Sequence, residues 1–257
     1  MSRFIDKLKQ ASQAVFPPMG FRAAETVSKP RMLLIANLSQ ADIDRLADYV
    51  AGADAGLISI TKLGSGAKIL KEIAQLVPSI PWGGWLGSPG QGRIKRITAS
   101  GCDFVVFPPD TPLKVLDEAK VGVILAVESL LDEGLLKAVD ELPADAVFIT
   151  SEQKEGHSLT WHHLMLFRRF VDLLAKPLLV PVPSDIAANE LQALWNVGVD
   201  GVVVKVVPGQ PVGRIKGLRQ MIDGLTPPSK RKRMKARAIV PSLKEEATPI
   251  TDEGGEE

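Results

Sequence analysis

The sequence predicts an α/β fold in which eight parallel strands and their helices close into a (β/α)8 TIM barrel. A cassette of a small residue, an Asp and an apolar run recurs four times, at Asp54, Asp103, Asp145 and Asp200. Neighbouring aspartates are 49, 42 and 55 residues apart, which is about two strand–helix units of roughly 20 to 25 residues each. One more apolar run precedes the first cassette, and another falls between each cassette and the next. The chain therefore contains eight strands in an alternating pattern.

Composition agrees with one barrel domain. The chain has 257 residues, of which 45% are hydrophobic but only 5% aromatic, so the core must be aliphatic. The 31 Lys and Arg residues nearly balance the 30 Asp and Glu residues, which excludes the global positive field of a general nucleic-acid binder. We expect a helical prefix over 1–30, the barrel over 31–226 and a disordered, charged tail over 227–257.

The expected compartment is the cytoplasm. The one cysteine, Cys102, cannot form an internal disulfide, and its place beside a buried strand indicates a reducing environment. The N-terminus alternates charges instead of carrying the apolar segment of a signal peptide. No run of 18 or more apolar residues occurs, so no transmembrane segment is expected.

The prefix begins with an amphipathic helix. Phe4, Ile5, Leu8, Ala11 and Val15 share one face of it, and two prolines end it at positions 17 and 18. The favoured interpretation is a helix that plugs the bottom of the barrel. The alternative is a helix that docks on a partner or a membrane surface.

Near-continuous apolar runs predict the strands, as is typical of a parallel sheet covered by helices. The predicted strands are 32–36, 57–60, 81–86, 104–107, 121–127, 146–150, 178–182 and 202–207. Helices are predicted at 41–50, 67–77, 160–174, 186–197 and 212–222. Pro108 and Pro109 end the fourth strand, and Ser184 is the expected N-cap of the helix after the seventh. The cassette aspartates open turns into strands, so they lie at the bottom of the barrel as structural residues.

Two segments carry a family resemblance. Residues 196–204 (NVGVDGVVV) resemble the last strand of the phosphate-binding, aldolase-type TIM barrels, which include the tryptophan synthase alpha subunit and thiamine phosphate synthase. Residues 100–106 (SGCDFVV) are similar to a mid-barrel strand of the same group. The resemblance implies a phosphate held by a Gly-Ser pair after strand eight and by a glycine-rich turn after strand seven. This chain has Lys205-Val206-Val207 and Pro183-Ser184-Asp185 at those places.

Lys205 is the sharpest catalytic candidate. It stands among valines in the last strand, so it points either into the barrel mouth or outward between helices. In the mouth, desolvation would favour the neutral amine, which could form a Schiff base with a carbonyl substrate; the ammonium could instead pair with a substrate anion. Glu128, at the end of the fifth strand, is the candidate proton-transfer partner.

Two glycine-rich segments are candidate ligand sites. Lys62, Gly64, Ser65 and Gly66 precede a helix after the second strand, where free N–H groups and an ammonium could bind an anion. The segment at 82–92 is predicted as a loop over the mouth, in which Trp82, Gly83, Gly84 and Trp85 close over a flat ligand. The alternative for this loop is packing on the barrel rim.

Other chemistries lack support in the sequence. His162 and His163 are adjacent on a predicted helix and diverge by about 100°, so no metal site is expected. No nucleophile-elbow motif occurs, and a thiol at Cys102 would lie at the wrong end of the barrel. The sequence does not identify a cofactor.

Two functions stay open at this stage. The first is an aldolase-type barrel, a lyase or isomerase, that binds a small phosphorylated or carboxylated metabolite. The second is a non-catalytic barrel that acts as a binding or assembly module through its N-terminal helix and its tail. The tail carries six cations within 230–237, followed by acidic residues. That basic run is a candidate contact for an acidic partner or an anionic surface, although a solvated tail is favoured and no specific nucleic acid is expected.

Overall fold

The eight apolar runs form a closed parallel barrel in which every strand pairs with its neighbours in chain order and the last pairs with the first. The computed structural model describes residues 2–12, 31–38, 46–60, 63–87, 97–113, 121–150, 158–207, 211 and 213–226. The strands are β1 Leu33–Leu38, β2 Ala55–Ile60, β3 Trp82–Leu86, β4 Phe104–Phe107, β5 Gly122–Glu128, β6 Ala146–Thr150, β7 Leu178–Val182 and β8 Gly201–Val206. The predicted fold class is confirmed.

Helices cover the outside of the barrel and one end of it. They are α1 Arg3–Ser12, α2 Leu46–Val50, α3 Leu63–Leu76, α4 Glu133–Val139, α5 Trp161–Leu173, α6 Ala188–Val197 and α7 Arg214–Asp223. In the described part of the chain, no helix is both long and apolar enough to cross a bilayer. The tail over 227–257 lies outside the described residues.

Alternating side chains of the strands build two separate layers of the core. The outward-facing set packs under the helices, and the inward-facing set fills the barrel together with the apolar face of α1. The inward set is Leu33, Ile35, Ala55, Leu57, Phe104, Val106, Ile124, Ala126, Ala146, Phe148, Leu179 and Val203. The barrel is therefore packed with apolar side chains over most of its length, as closed eight-stranded barrels are.

The cassette aspartates act at the bottom of the barrel, where they join successive strands. Asp200 donates its backbone N–H to the carbonyl of Leu178 at 3.0 Å, and its carboxylate accepts the N–H of that same residue at 2.7 Å. Asp54 makes the same two contacts with Leu34: its backbone N–H donates to the Leu34 carbonyl at 2.8 Å, and its carboxylate accepts the Leu34 N–H at 2.9 Å. Asp145 does the same with Val123: its backbone N–H donates to the Val123 carbonyl at 2.7 Å, and its carboxylate accepts the Val123 N–H at 3.0 Å. We call this two-point contact the Asp clamp.

Asp103 uses its carboxylate differently, and that difference holds α1 in place. Its backbone N–H still donates to Trp82, at 2.8 Å. Its carboxylate instead accepts the Ser2 hydroxyl at 2.7 Å and the N–H groups of Arg3 and Phe4, both at 2.9 Å. These are amides of the first turn, which a helix cannot satisfy internally, so Asp103 caps α1 from the barrel wall.

The contacts of α1 show how this helix fills the bottom of the barrel. Phe4 and Leu8 are fully buried, and the Phe4 ring lies 4.5 Å from the Phe104 ring, centroid to centroid. Gly122 makes room for the helix, because a Cβ there would lie 2.3 Å from Ile5. Lys9 adds an exposed ion pair to Asp145 at 2.8 Å. The structure thus agrees with a plug and buries the face that partner or membrane docking would need.

Four local predictions differ from the structure. The helix α4 is missing from the prediction; it has only seven residues and begins at the N-cap Asp132, whose carboxylate accepts the Leu135 N–H. Ser184 is not the N-cap of α6, because that helix begins at Ala188, where Glu190 accepts the N–H of Ala187. The helix predicted at 67–77 begins earlier, at Leu63. The segment predicted as a glycine-rich loop begins with strand β3.

We predict that Asp103→Ala lowers the free energy of unfolding by about 1–2 kcal/mol, because the first-turn amides of α1 lose their cap. Urea denaturation measures the loss, and faster hydrogen exchange at the Phe4 amide localises it. Asp6→Ala, which removes an exposed carboxylate of the same helix, is the matched control and should change stability little. Equal stability of Asp103→Ala and the wild type would contradict the capping role.

Candidate functional site

Among the described strand residues, the polar side chains that face inward lie at one end of the barrel, beyond the apolar layers. The alternation that points Leu33, Ile35 and Val203 inward continues to the carboxyl ends of the strands. The inward positions reached there are Asn37, Ser59, Trp85, Glu128, Thr150, Pro181 and Lys205. We call these seven residues the mouth ring. This is the end of the barrel at which TIM-barrel active sites form.

Lys205 and Asn37 are direct neighbours in the mouth ring. The two residues are register partners on β8 and β1, so their side chains leave the sheet side by side on its inner face. The position of Lys205 on β8 directs its side chain into the mouth. The side chain is exposed, so its ammonium is solvated. The Asn37 Oδ1 atom is buried and has no hydrogen-bond partner within the described residues. An ammonium thus lies beside an amide whose oxygen is free to accept a hydrogen bond.

Glu128 and Thr150 lie on the other side of the mouth ring. They are register partners on β5 and β6, and β5 is three strands away from β8 around the barrel. The Glu128 side chain is exposed. The Thr150 hydroxyl donates to the carbonyl of Val127 at 3.0 Å and is thereby held at the sheet. The two predicted catalytic residues, Lys205 and Glu128, therefore face the same opening from different walls.

Trp85 gives the mouth an aromatic wall. It is half-buried, and its indole meets the ring of Phe148 edge to face, with 5.3 Å between centroids. Phe148 belongs to the apolar layer beneath the mouth ring. The indole is therefore fixed by packing, and its role as a ligand-stacking residue stays a prediction.

The other three residues of the predicted loop over the mouth are part of the barrel wall. Trp82 is 2% exposed, faces the outer helices and donates its indole N–H to the Val77 carbonyl at 2.9 Å. Gly83 faces inward, where a Cβ would come within 2.2 Å of the Phe104 ring. Gly84 faces the outer layer, where a Cβ would lie 2.6 Å from Ile60. Trp82, Gly83 and Gly84 cannot close over a ligand, because they are strand residues in close contact with their neighbours.

The predicted anion-binding segment lies at the rim, after β2. Gly64, Ser65 and Gly66 belong to the first turn of α3 instead of a preceding loop. Lys62 lies outside the described residues. Because β2 is next to β1 in the ring, this first turn rises from the strand beside that of Asn37. Anion binding at the segment stays a prediction.

Comparisons with known proteins identify the fold and nothing narrower. No protein-family model matches the chain, and no curated protein sequence matches it. Among solved structures, a thiamine phosphate pyrophosphorylase from Pyrococcus furiosus is similar, with 17% identity and a TM-score of 0.59 over 75% of this chain and 96% of that one. A mutant tryptophan synthase alpha-subunit from the same organism has 16% identity and a TM-score of 0.60, over 76% and 98%. These structures share the (β/α)8 barrel fold with this chain.

Cys102 takes no part in the mouth. It is buried before β4, at the bottom of the barrel, and its thiol donates to the Phe104 carbonyl at 3.0 Å. Desolvation by burial raises the pKa of the thiol to about 12. A thiol in that state is a poor nucleophile, because the reactive species is the thiolate.

We predict that Cys102 does not react with a disulfide reagent at pH 8 in the folded protein, where a pKa of about 12 leaves roughly one thiol in ten thousand ionised. Absorbance of the released thiolate should report no reaction until guanidinium chloride unfolds the chain, and one equivalent afterwards. Rapid labelling without denaturant would contradict the burial of this thiol.

Proposed function

We propose that this protein binds a small anionic metabolite, phosphorylated or carboxylated, at the mouth ring. The observation that carries the proposal is the pairing of Lys205 with Asn37 on neighbouring strands at the carboxyl-terminal end of the barrel. The ammonium would pair with the anion, and the free Asn37 oxygen would accept a hydrogen bond from a hydroxyl or amine of the same ligand. The related fold of enzymes named for phosphorylated compounds supports this class of ligand.

The arrangement of the mouth also supports catalysis of the lyase or isomerase type. In the covalent version, Lys205 gives its ammonium proton to solvent, the amine attacks a substrate carbonyl and water leaves, giving a Schiff base. Glu128 faces the same opening from β5 and would exchange a proton with the carbon next to that bond. In the non-covalent version, Lys205 only holds the anion. The first turn of α3, with Gly64, Ser65 and Gly66, would be the second anion contact in either case.

A non-catalytic binding or assembly module is the second candidate function. The structure buries Phe4 and Leu8 of α1 inside the barrel, so that helix does not offer an apolar face to a partner. The candidate therefore depends on the charged tail, whose basic run at 230–237 would bind an acidic surface. The mouth ring supports the first function, because it collects polar side chains at the open end of the barrel, which this module would not require.

We predict that orthophosphate, glycerol 3-phosphate or pyruvate raises the melting temperature of the wild type and fails to raise that of Lys205→Met. A ligand at about 100 times its Kd stabilises by roughly 2.7 kcal/mol, which is about 5–10 °C for a protein of this size. Lys216→Met is the matched control, because it removes an exposed ammonium from α7 on the outside of the barrel. Equal shifts in all three proteins would locate binding elsewhere and contradict the proposal.

The covalent version makes its own prediction. Borohydride added with pyruvate or dihydroxyacetone phosphate should reduce the Schiff base to a stable amine, and mass spectrometry of the digested protein should find the added mass on Lys205. Glu128→Gln should leave this adduct in place while it slows turnover, since the carboxylate acts after the bond forms. An adduct on other lysines with none at Lys205 would contradict the Schiff-base assignment.

A further inference from the structure

An apolar groove between α5 and α6 is a feature that the mouth ring does not explain. It has a volume of about 430 Å³ and is lined mainly by Leu159, Trp161, Leu164 and Ala193, with Thr160, Asn189 and Glu190 at its edges. The Glu190 carboxylate is already satisfied, because it accepts the N–H groups of Leu159 at 2.7 Å and Ala187 at 2.9 Å. The open surface of the groove is thus apolar.

The side chains around this groove are exposed to an unusual degree. Trp161 is 82% exposed and Met165, one turn further along α5, is 70% exposed. Large apolar side chains in contiguous exposed positions are a sign of a contact surface, because leaving them in water forgoes about 1.5–3 kcal/mol each. The groove therefore lacks its cover among the described residues.

The described chain ends against α6, one of the two helices that line the groove. Thr226 forms a reciprocal pair with Gln192 of α6, in which each residue donates one hydrogen bond to the other at 2.9 Å. Gln192 lies three residues from Asn189, which lines the groove, so the two side chains share one face of α6. The segment that follows Thr226 therefore starts at the surface of α6.

That following segment contains a run suited to the groove. Between the cations of 230–237 and the acidic residues that follow Lys244 stands AIVPSL, residues 238–243. Ile239 lies thirteen positions after Thr226, a stretch that spans up to roughly 43–47 Å, whereas the whole of α6 is about 15 Å long. The reach is ample, and tethering gives such a segment an effective concentration of order mM.

Two other undescribed segments are less suited to cover the groove. Residues 151–157 precede Leu159 directly, but their sequence, SEQKEGH, contains no large apolar side chain. Residues 13–30 do contain phenylalanines, but the ion pairs near their two ends join Lys9 to Asp145 and Arg31 to Asp54 and Asp223, whereas Thr226 is hydrogen-bonded to α6 itself.

We propose that residues 238–243 of this same chain occupy the groove between α5 and α6. Ile239, Val240 and Leu243 would supply the apolar contacts to Trp161 and Leu164. The occupied groove would hold the C-terminal segment against the outer wall of the barrel. This proposal does not depend on the function of the mouth ring.

Contact quenching of a bimane fluorophore by Trp161 tests the proposal in the full chain. Ser242→Cys can be labelled selectively, because Cys102 is buried and its pKa is raised to about 12. We expect the bimane emission to rise about twofold when Trp161→Phe is added, since a segment tethered at mM effective concentration is bound for much of the time. Ile239→Asp with Val240→Asp should raise the emission as much, with Trp161 still present.

The matched control carries the label at Thr251→Cys, in the acidic end of the tail, where Trp161→Phe should leave the emission unchanged. Equal emission of the Ser242→Cys protein with and without Trp161 would overturn the proposal. Equal quenching at both label positions would also overturn it, because it would indicate random collisions. Quenching that disappears on dilution would show that a second copy supplies the segment, which contradicts binding within one chain.

Discussion

The Asp clamp at the start of β2, β6 and β8 is the interaction on which the geometry of this barrel depends. In Asp54, Asp145 and Asp200, one residue satisfies both the N–H and the carbonyl of a residue on the preceding strand. A slip by one residue would break both hydrogen bonds and turn the strand's side chains to the other face. The clamp therefore fixes register, and register decides which side chains point inward. Buried amides left without an acceptor would cost about 1–3 kcal/mol each.

The distribution of polar groups inside the barrel follows from that register. At the bottom, the Asp103 carboxylate caps α1, and Phe4 and Leu8 of that helix fill the end of the barrel. Apolar layers fill the middle, so the polar inward positions of the described strands lie at the carboxyl-terminal end. Lys205 reaches the mouth because it shares the inward parity of Val203. One lysine in a run of valines thereby becomes an exposed charge at the mouth instead of a buried one, which would be costly.

The sequence was sufficient to predict the barrel because its evidence is local and repeated: apolar runs, turn residues and the spacing of the aspartates. The sequence was insufficient for features of the structure that depend on contacts between residues far apart in the chain. The sequence places Gly83 and Gly84 both in a predicted strand and in a glycine-rich loop; the strand is correct, and aromatic and aliphatic side chains from other strands pack against these glycines. Asn37 could not be ranked above other polar strand-end residues, since its pairing with Lys205 exists only once the ring closes between β8 and β1.

Hydrogen exchange at the clamped amides tests the central claim most directly. The N–H groups of Leu34, Val123 and Leu178 donate to carboxylates at the bottom of the barrel. If these contacts fix the register, the three amides exchange only through global unfolding, and low urea concentrations accelerate them with the full slope of the unfolding transition. Exchange that is fast and insensitive to urea would show that the strand starts open locally. The Asp clamp would then be a consequence of the barrel and not what sets its register.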